Sequence, residues 1–409
     1  MTRTRLEVAE VFRQHGDAFL EQYGDGLAPE QRRALSDIAA CRTAALGGHV
    51  EECDRCGHRQ IAYNSCRNRH CPKCQATAAA EWMEDREAEL LPVEYFHVVF
   101  TLPTALDPIA LQNPRVVYGL LFRAAAETLQ QIAADPEHLG AEIGFLTVLH
   151  TWGQNLQHHP HVHCVVPGGG LSPDGSRWVP CRPGFFLPVR VLSRVFRGKF
   201  LALLRGAFAR GKLSFHRSIT ALADPGEFQR RLAASARTEW VVYAKPPFGG
   251  PEQVLKYLAR YTHRVAISNS RLTALEGDEV EFLWKDYAHK GKQKTMRLKP
   301  VEFIRRFLLH VLPAGFVRIR HYGFLANRVC HEKLARCREL LGVTLTLEPV
   351  TPELAAEPEE APEGQPVAHL CPCCGQGRMV IVETLRATRT GRSEPGREPA
   401  PGKCGWDTS

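Results

Sequence analysis

The sequence predicts an α+β fold, an antiparallel sheet with flanking helices of the split ferredoxin-like kind, preceded by a small cysteine-rich module. Three observations predict it. Strand-like runs and helical periodicity follow one another as strand, helix, strand, strand between Tyr95 and Gly170. Apolar residues at helical spacing lead the chain, and six of its fourteen cysteines then fall between Cys41 and Cys74. With 409 residues, 44% of them hydrophobic, the chain exceeds one core and can fill two or three.

The elements follow in order. Val8, Val11, Phe12, Phe19 and Leu20 recur at helical spacing and predict one or two amphipathic helices over the first 40 or so residues. YFHVVFTLP, from Tyr95, is a β-branched and aromatic run stopped by Pro103, and ALQNPRVVYGLLFRAAAETLQQIA beyond it is helical in period. FLTVLHTWGQ and HPHVHCVVPGGG read as two strands, the second ended by three glycines. Helical pattern returns over 191–213 and 251–264, and the stretch to Pro300 alternates like two or three strands. Past Glu348 the chain turns acidic and proline-rich, passes a CPCCG knot and ends in an Arg, Gly, Pro and Ser tail. The expected domains are therefore 1–92, helical lead-in and cysteine module; 93–345, the sheet domain; and 346–409, acidic linker, small Cys knot and disordered tail.

Net charge is +8, and Glu348 to Glu363 holds six glutamates without Lys or Arg, so the rest carries +14. That excess favours a polyanionic partner, of which nucleic acid is the commonest. No apolar run reaches the length of a membrane span and the start resembles no signal peptide, so the expected location is the cytoplasm, with no membrane partner.

Cys53-Asp-Arg-Cys56 and Cys71-Pro-Lys-Cys74 are two Cys-x-x-Cys pairs fourteen residues apart, the spacing at which two tight turns present four thiolates to one tetrahedral ion. One structural Zn²⁺ on Cys53, Cys56, Cys71 and Cys74 is the expectation. Cys41, His49, Cys66 and His70 are left over in the same stretch and suffice for a second zinc. A zinc closed by four protein ligands has no place for water, so these sites are clamps. Arg69 and Lys73, among other cations of the module, remain candidates for phosphate contacts.

His161 and His163 flank one apolar residue, and in a strand residues i and i+2 share a face, so both imidazoles project together as two-thirds of an open metal site. Tyr257 and Tyr261 stand at i and i+4 in a helical stretch, on one face and one turn apart, beside Lys256, Arg260 and Arg264. Taken alone, either pair is ordinary.

Together with Phe100-Thr101-Leu102-Pro103 they fall in the order of three motifs of rolling-circle initiators. The longer strings CRTAALGGHVEECDRCG, NSCRNRHCPKCQ, HPHVHCVVPGGG, YLARYTHRVAISN and RHYGFLANR resemble the two-tyrosine HUH transposases of bacterial insertion sequences called the IS ninety-one family, over residues 10 to 340. The resemblance implies an HUH endonuclease fold behind a transposase zinc-binding domain. It implies cleavage and rejoining of single-stranded DNA through 5′-phosphotyrosine intermediates on Tyr257 and Tyr261, in rolling-circle transposition. It also implies a catalytic Mg²⁺ or Mn²⁺ on His161, His163 and a third ligand. Relatives take that ligand from the preceding strand as a carboxylate or amide, which favours Gln154 over His150 and Gln157. CPCCG departs from the family pattern and leaves the roles of Cys371, Cys373 and Cys374 open.

The implied partners are single-stranded DNA and DNA hairpins at element ends. No Gly-x-x-x-x-Gly-Lys-Ser/Thr loop occurs, so a host helicase or replication is expected to supply single strands. Lys256, Arg260, Arg264, Lys290, Lys292 and Lys294 are the expected DNA contacts, with Trp284 and Tyr287 as stacking platforms. The competing readings are a plasmid or phage replication initiator, which shares the motifs, and a catalytically inert zinc-dependent DNA-binding regulator.

Overall fold

Helices α1 (Val8–Tyr23) and α2 (Pro29–Ala40) open the chain in a computed structural model that describes residues 6–76, 90–245, 265–286, 289, 291–342 and 369–388. Tyr257, Tyr261, Lys256, Arg260, Arg264, Tyr287 and Lys290 lie outside the described residues. Val8, Val11, Phe12 and Phe19 are buried along one face of α1, as their spacing predicts, and Pro29 starts α2 at the position where a missing N–H costs nothing. A hairpin of β1 (Gly48–Cys53) and β2 (Arg59–Tyr63) follows.

The sheet domain then runs β3 (Tyr95–Thr101), α3 (Asp107–Gln112), α4 (Pro114–Ala134), β4 (Phe145–Trp152) and β5 (His158–Pro167). A short ribbon of β6 (Gly169–Leu171) and β7 (Trp178–Pro180) leads to α5 (Val189–Ala209), α6 (Pro225–Arg237) and β8 (Val242–Lys245). Asp224 caps α6, its carboxylate accepting the Glu227 N–H at 2.9 Å, with Pro225 as first residue. The meander of β9 (Leu272–Glu276), β10 (Glu279–Asp286) and β11 (Lys292–Leu298) precedes α7 (Pro300–Leu308), β12 (Ile319–Tyr322), α8 (Cys330–Leu340) and β13 (Met379–Leu385).

Five strands form one antiparallel sheet in the order β12-β4-β5-β3-β8. Alternation divides its two faces. Phe96, Val98 and Phe100 of β3, Phe145 and Leu149 of β4, and Val162, Cys164 and Val166 of β5 face α4 and α5 and make the main core with Val117, Leu121, Leu129, Phe196 and Phe200. Each such fully buried side chain contributes about 1.5–3 kcal/mol, enough in sum to hold the strands rigid whatever occupies the other face. The predicted α+β antiparallel sheet with flanking helices is thus present.

A second core joins regions distant in sequence. Phe12 of α1 meets Phe307 of α7 edge to face at 5.1 Å, and Ile267, Phe282, Ile304 and Leu308 complete the cluster with Cys41, Cys66 and Cys71. Trp152 and Leu156, from the end of the β4–β5 hairpin, enter the same core. Residues 369–388, expected to stand apart as a Cys knot and tail, instead return to the N-terminal hairpin, where β13 pairs antiparallel with β1 as its third strand. Among the described residues no helix is long and apolar enough to cross a membrane.

Candidate metal centres

The face of the sheet turned away from α4 and α5 carries the histidines, among side chains that are mostly buried. On β5 the alternation that buries Val162 and Cys164 against the helices turns His161 and His163 the other way. The register places His150 of β4 directly opposite His161, and Val148 opposite His163. One nitrogen from each of His150, His161 and His163 lies within 4.8 Å of the others. His150 and His163 are buried and His161 is partly exposed, so the cluster opens to solvent on the His161 side.

Hydrogen bonds select the nitrogens that face inward. Nδ1–H of His161 donates to the His159 carbonyl at 2.6 Å, leaving the lone pair on Nε2. Nδ1 of His163 lies 2.8 Å from Nε2 of His97, a residue of β3 whose ring stacks on His163 with centroids 5.0 Å apart. Burial, with Lys245 nearby, pushes His97 down to about 4, so His97 is uncharged near neutrality and one N–H proton lies in its hydrogen bond to His163. A proton on Nδ1 of His163 leaves its Nε2 as a metal-binding nitrogen.

The β4–β5 turn that sets this register is held from the second core. Leu156 adopts φ +60, rare for a branched side chain, and its side chain is fully buried. Neutral His310, lowered to about 3 by burial, bridges Thr151 Oγ1 at 3.3 Å and the Leu156 carbonyl at 3.1 Å. Arg306 donates to the Asn155 carbonyl at 3.3 Å, and Arg271 donates to the Gln154 carbonyl.

The turn bears on the expected third ligand. Gln154 lies beyond the last ladder pair, Trp152 with His158, whereas His150, four residues earlier, stands opposite His161 within the cluster. Gln157 lies in the same turn, its side-chain oxygen bonded to Asn155 Nδ2 at 2.8 Å. His158, on the opposite alternation, turns to the helix side and meets the Tyr118 hydroxyl at 2.9 Å. His97 and His310 had no signal in the sequence, because their roles arise only from strand register and packing.

The cysteines assemble differently from their spacing. Cys53 and Cys56 do not meet Cys71 and Cys74; the latter pair joins Cys41 and Cys66. Sulfur separations of 3.7 Å for Cys41–Cys74 and 3.6 Å for both Cys66–Cys74 and Cys41–Cys71 approach the edge of about 3.8 Å that follows from tetrahedral Zn–S bonds of about 2.3 Å. The donor set therefore fits zinc. His49 and His70 are not drawn in: His49 Nε2 bonds Glu51 at 3.0 Å, and His70 Nε2 accepts the Leu312 N–H at 3.3 Å. The reason is topological. Cys53 and Cys56 sit at the tip of the β1–β2 hairpin, whereas Cys41, Cys66 and Cys71 are packed into the second core.

Several expected DNA contacts are engaged within the chain. Arg69 donates to the carbonyls of Phe316 and Pro313 at 2.7 and 2.9 Å, and Lys73 pairs with Glu7 at 2.6 Å. Lys294 pairs with Asp286 at 2.7 Å and holds its carboxyl down at about 2 while lying over the Trp284 ring; Lys292 is exposed.

Residues 144–333 match the family described as "Putative transposase" (Y2_Tnp), and residues 11–102 match the "Transposase zinc-binding domain" (Zn_Tnp_IS91). The chain is 58% identical over 411 residues, the full length of both, to "Putative transposase y4qJ" of Sinorhizobium fredii. It is 29% identical over 322 residues, 77% of this chain and 75% of the relative, to "Transposase for insertion sequence element IS801" of Pseudomonas savastanoi pv. phaseolicola. Two structures of the conjugative relaxase TrwC with oriT DNA, one metal-free and one metal-bound, cover 41% and 42% of this chain and 71% of their own. Their identities are 15% and 14% and their TM-scores 0.22 and 0.23, too low for a shared overall shape. The zinc-binding domain encloses the whole Cys41, Cys66, Cys71 and Cys74 cluster, the transposase family encloses the three histidines, and on the full-length kinship with y4qJ the chain belongs to the transposases, here one with an IS91-type zinc-binding domain.

Proposed function

We propose that this transposase cleaves and rejoins single-stranded DNA on the histidine face of its sheet, with Tyr257 and Tyr261 as nucleophiles. The observation that carries the reading is the convergence of His150, His161 and His163 in a cluster partly exposed at His161, on strands made rigid by the core behind. The two tyrosines rest on the sequence alone, on the resemblance of YLARYTHRVAISN to the two-tyrosine motif.

His150, His161 and His163 would hold a divalent cation that supplies Lewis-acid polarisation of the scissile phosphate. Three imidazoles suit a first-row transition ion, so of the expected ions Mn²⁺ fits better than Mg²⁺. His97 keeps His163 in the tautomer the site needs, and the buried Leu156 turn keeps His150 opposite His161. A tyrosine hydroxyl, with an ordinary pKa of about 10, needs such a polarised phosphate to react at neutral pH. Its oxygen bonds to phosphorus as the P–O3′ bond breaks; the phenol loses a proton and the 3′ oxygen gains one. The 5′-phosphotyrosine conserves the bond for religation without ATP, and the second tyrosine, four residues away in sequence, accepts a second strand.

On this reading residues 93–345 are the catalytic domain. The substrates are single strands and hairpins at element ends, delivered in the cytoplasm by host helicase or replication, with Lys256, Arg260, Arg264, Lys290 and Lys292 as the cations proposed to meet the phosphates and Lys294 able to join them on leaving Asp286. The test is a labelled single strand bearing the element end, incubated with Mn²⁺, Mg²⁺ or chelator. A covalent adduct is expected only with metal, from either single Tyr→Phe variant but not from Tyr257→Phe with Tyr261→Phe. An adduct in that double variant would place the nucleophile elsewhere.

A further inference from the structure

We infer that Cys53, Cys56, Cys371 and Cys374 form a second zinc site that joins the two ends of the chain. The separations of Cys53 Sγ from Cys374 Sγ and of Cys56 Sγ from Cys371 Sγ are 3.8 and 3.7 Å, between residues 321 and 315 positions apart, and all four sulfurs lie within 4.8 Å of one another. Those separations match the edge of about 3.8 Å of a tetrathiolate zinc and exceed the S–S bond of a disulfide, about 2.05 Å.

The two halves of the site are the same turn built twice. Cys53-Asp-Arg-Cys56-Gly57 and Cys371-Pro-Cys-Cys374-Gly375 each place glycine after the second cysteine, with φ +69 and +65. Each glycine N–H donates back to the carbonyl of the first cysteine, at 3.1 and 2.9 Å. Backbone amides point at the sulfurs: Arg55 and Cys56 at Cys53 Sγ, both 3.4 Å, Cys373 at Cys371 Sγ, 3.4 Å, and Gly377 at Cys374 Sγ, 3.3 Å. Such donors stabilise thiolates, the form a metal binds. The halves are locked together by Asp54 N–H to the Arg378 carbonyl, 3.1 Å, and by Arg378 N–H to the Asp54 carboxylate, 2.8 Å. A side chain at Gly377 would collide with Cys53 Sγ.

A metal explains what β13 lacks. Met379 alone of its residues is buried, while Val380, Ile381 and Val382 are exposed, so the strand brings little apolar burial of its own to the small three-stranded sheet it joins. A closed four-sulfur ion supplies the missing hold. The spacing of cysteines in the first 74 residues gave no hint of this, and Cys371 and Cys374 fall outside both matched family ranges.

The experiment uses the full-length protein. Metal analysis after dialysis is expected to find one zinc per chain fewer in Cys371→Ser with Cys374→Ser than in the unmodified protein, and no loss in Cys373→Ser, whose thiol lies outside the cluster. Alkylation of the unmodified, zinc-loaded protein avoids any effect of substitution on folding. Cys373 is expected to label fast and the four site cysteines slowly, with all four becoming reactive together after a zinc chelator. Equal zinc in the double serine variant overturns the inference, as does fast labelling of Cys371 and Cys374 in loaded protein. Protection released by reductant and not by chelator overturns it in favour of disulfides.

Discussion

The sulfur cluster of Cys41, Cys66, Cys71 and Cys74 and the imidazole cluster of His150, His161 and His163 are built on opposite plans. The sulfurs come from the C-terminal end of α2, the loop beyond β2 and the helical turn that carries Cys74, and four donors close the coordination sphere. The imidazoles come from two adjacent strands of a sheet whose other face is a packed core, and three donors leave positions open. Loops are fixed by the ion they bind; strands are fixed beforehand and fix the ion. A closed site holds architecture, and an open one can hold a phosphate.

The largest test of that difference is to remove one donor from each. Cys71→Ser should cost a large share of the folding energy that zinc supplies, about 10–16 kcal/mol for structural sites in small peptides, and appear as lost soluble yield and a lowered Tm. His163→Ala should leave Tm within a few degrees, because its ring lies on the face away from the main core. A His163→Ala protein as unstable as Cys71→Ser would erase the contrast.

Next in size is Leu156, which holds the hairpin register from below. Leu156→Ala should destabilise by about 2–5 kcal/mol, since a fully buried side chain is lost while the residue keeps φ +60. Leu156→Gly should be less damaging than Ala by about 1 kcal/mol, the reverse of the usual order, because glycine adopts that φ freely. Denaturant titration of the two variants checks the order; Ala above Gly in stability would mean the turn stores no strain.

How much of this was written in the sequence depends on the range of the interaction. β3, β4 and β5 follow from local alternation, and so does the shared face of His161 and His163. His150 depends on how β4 aligns with β5 across a turn whose Leu156 takes a conformation that no local pattern announces, so a family habit pointed to Gln154 instead. The cysteine pairing failed for the same reason at longer range: Cys53 and Cys56 are completed by residues more than 300 positions away. β12 is only four residues long, and β13, with Met379 alone buried, shows no alternation of buried and exposed positions to read.

His97 gives a smaller effect within the imidazole site. His97→Phe preserves the stacked ring and removes the nitrogen that bonds His163, so Mn²⁺ affinity measured by calorimetry should fall about 10–100-fold with Tm nearly unchanged. His97→Gln should restore part of the loss, and full affinity in His97→Phe would reduce His97 to packing.

The most direct measurement of the central claim compares His150→Ala with Gln154→Ala in the Mn²⁺-dependent adduct assay on the same labelled strand, alongside Mn²⁺ binding to each protein. If the three imidazoles are the metal centre, His150→Ala loses both the bound Mn²⁺ and the adduct, while Gln154→Ala keeps both, because Gln154 is held in the turn through its backbone carbonyl and a substitution leaves it in place. Loss of metal and adduct in Gln154→Ala, with both retained in His150→Ala, would contradict the account.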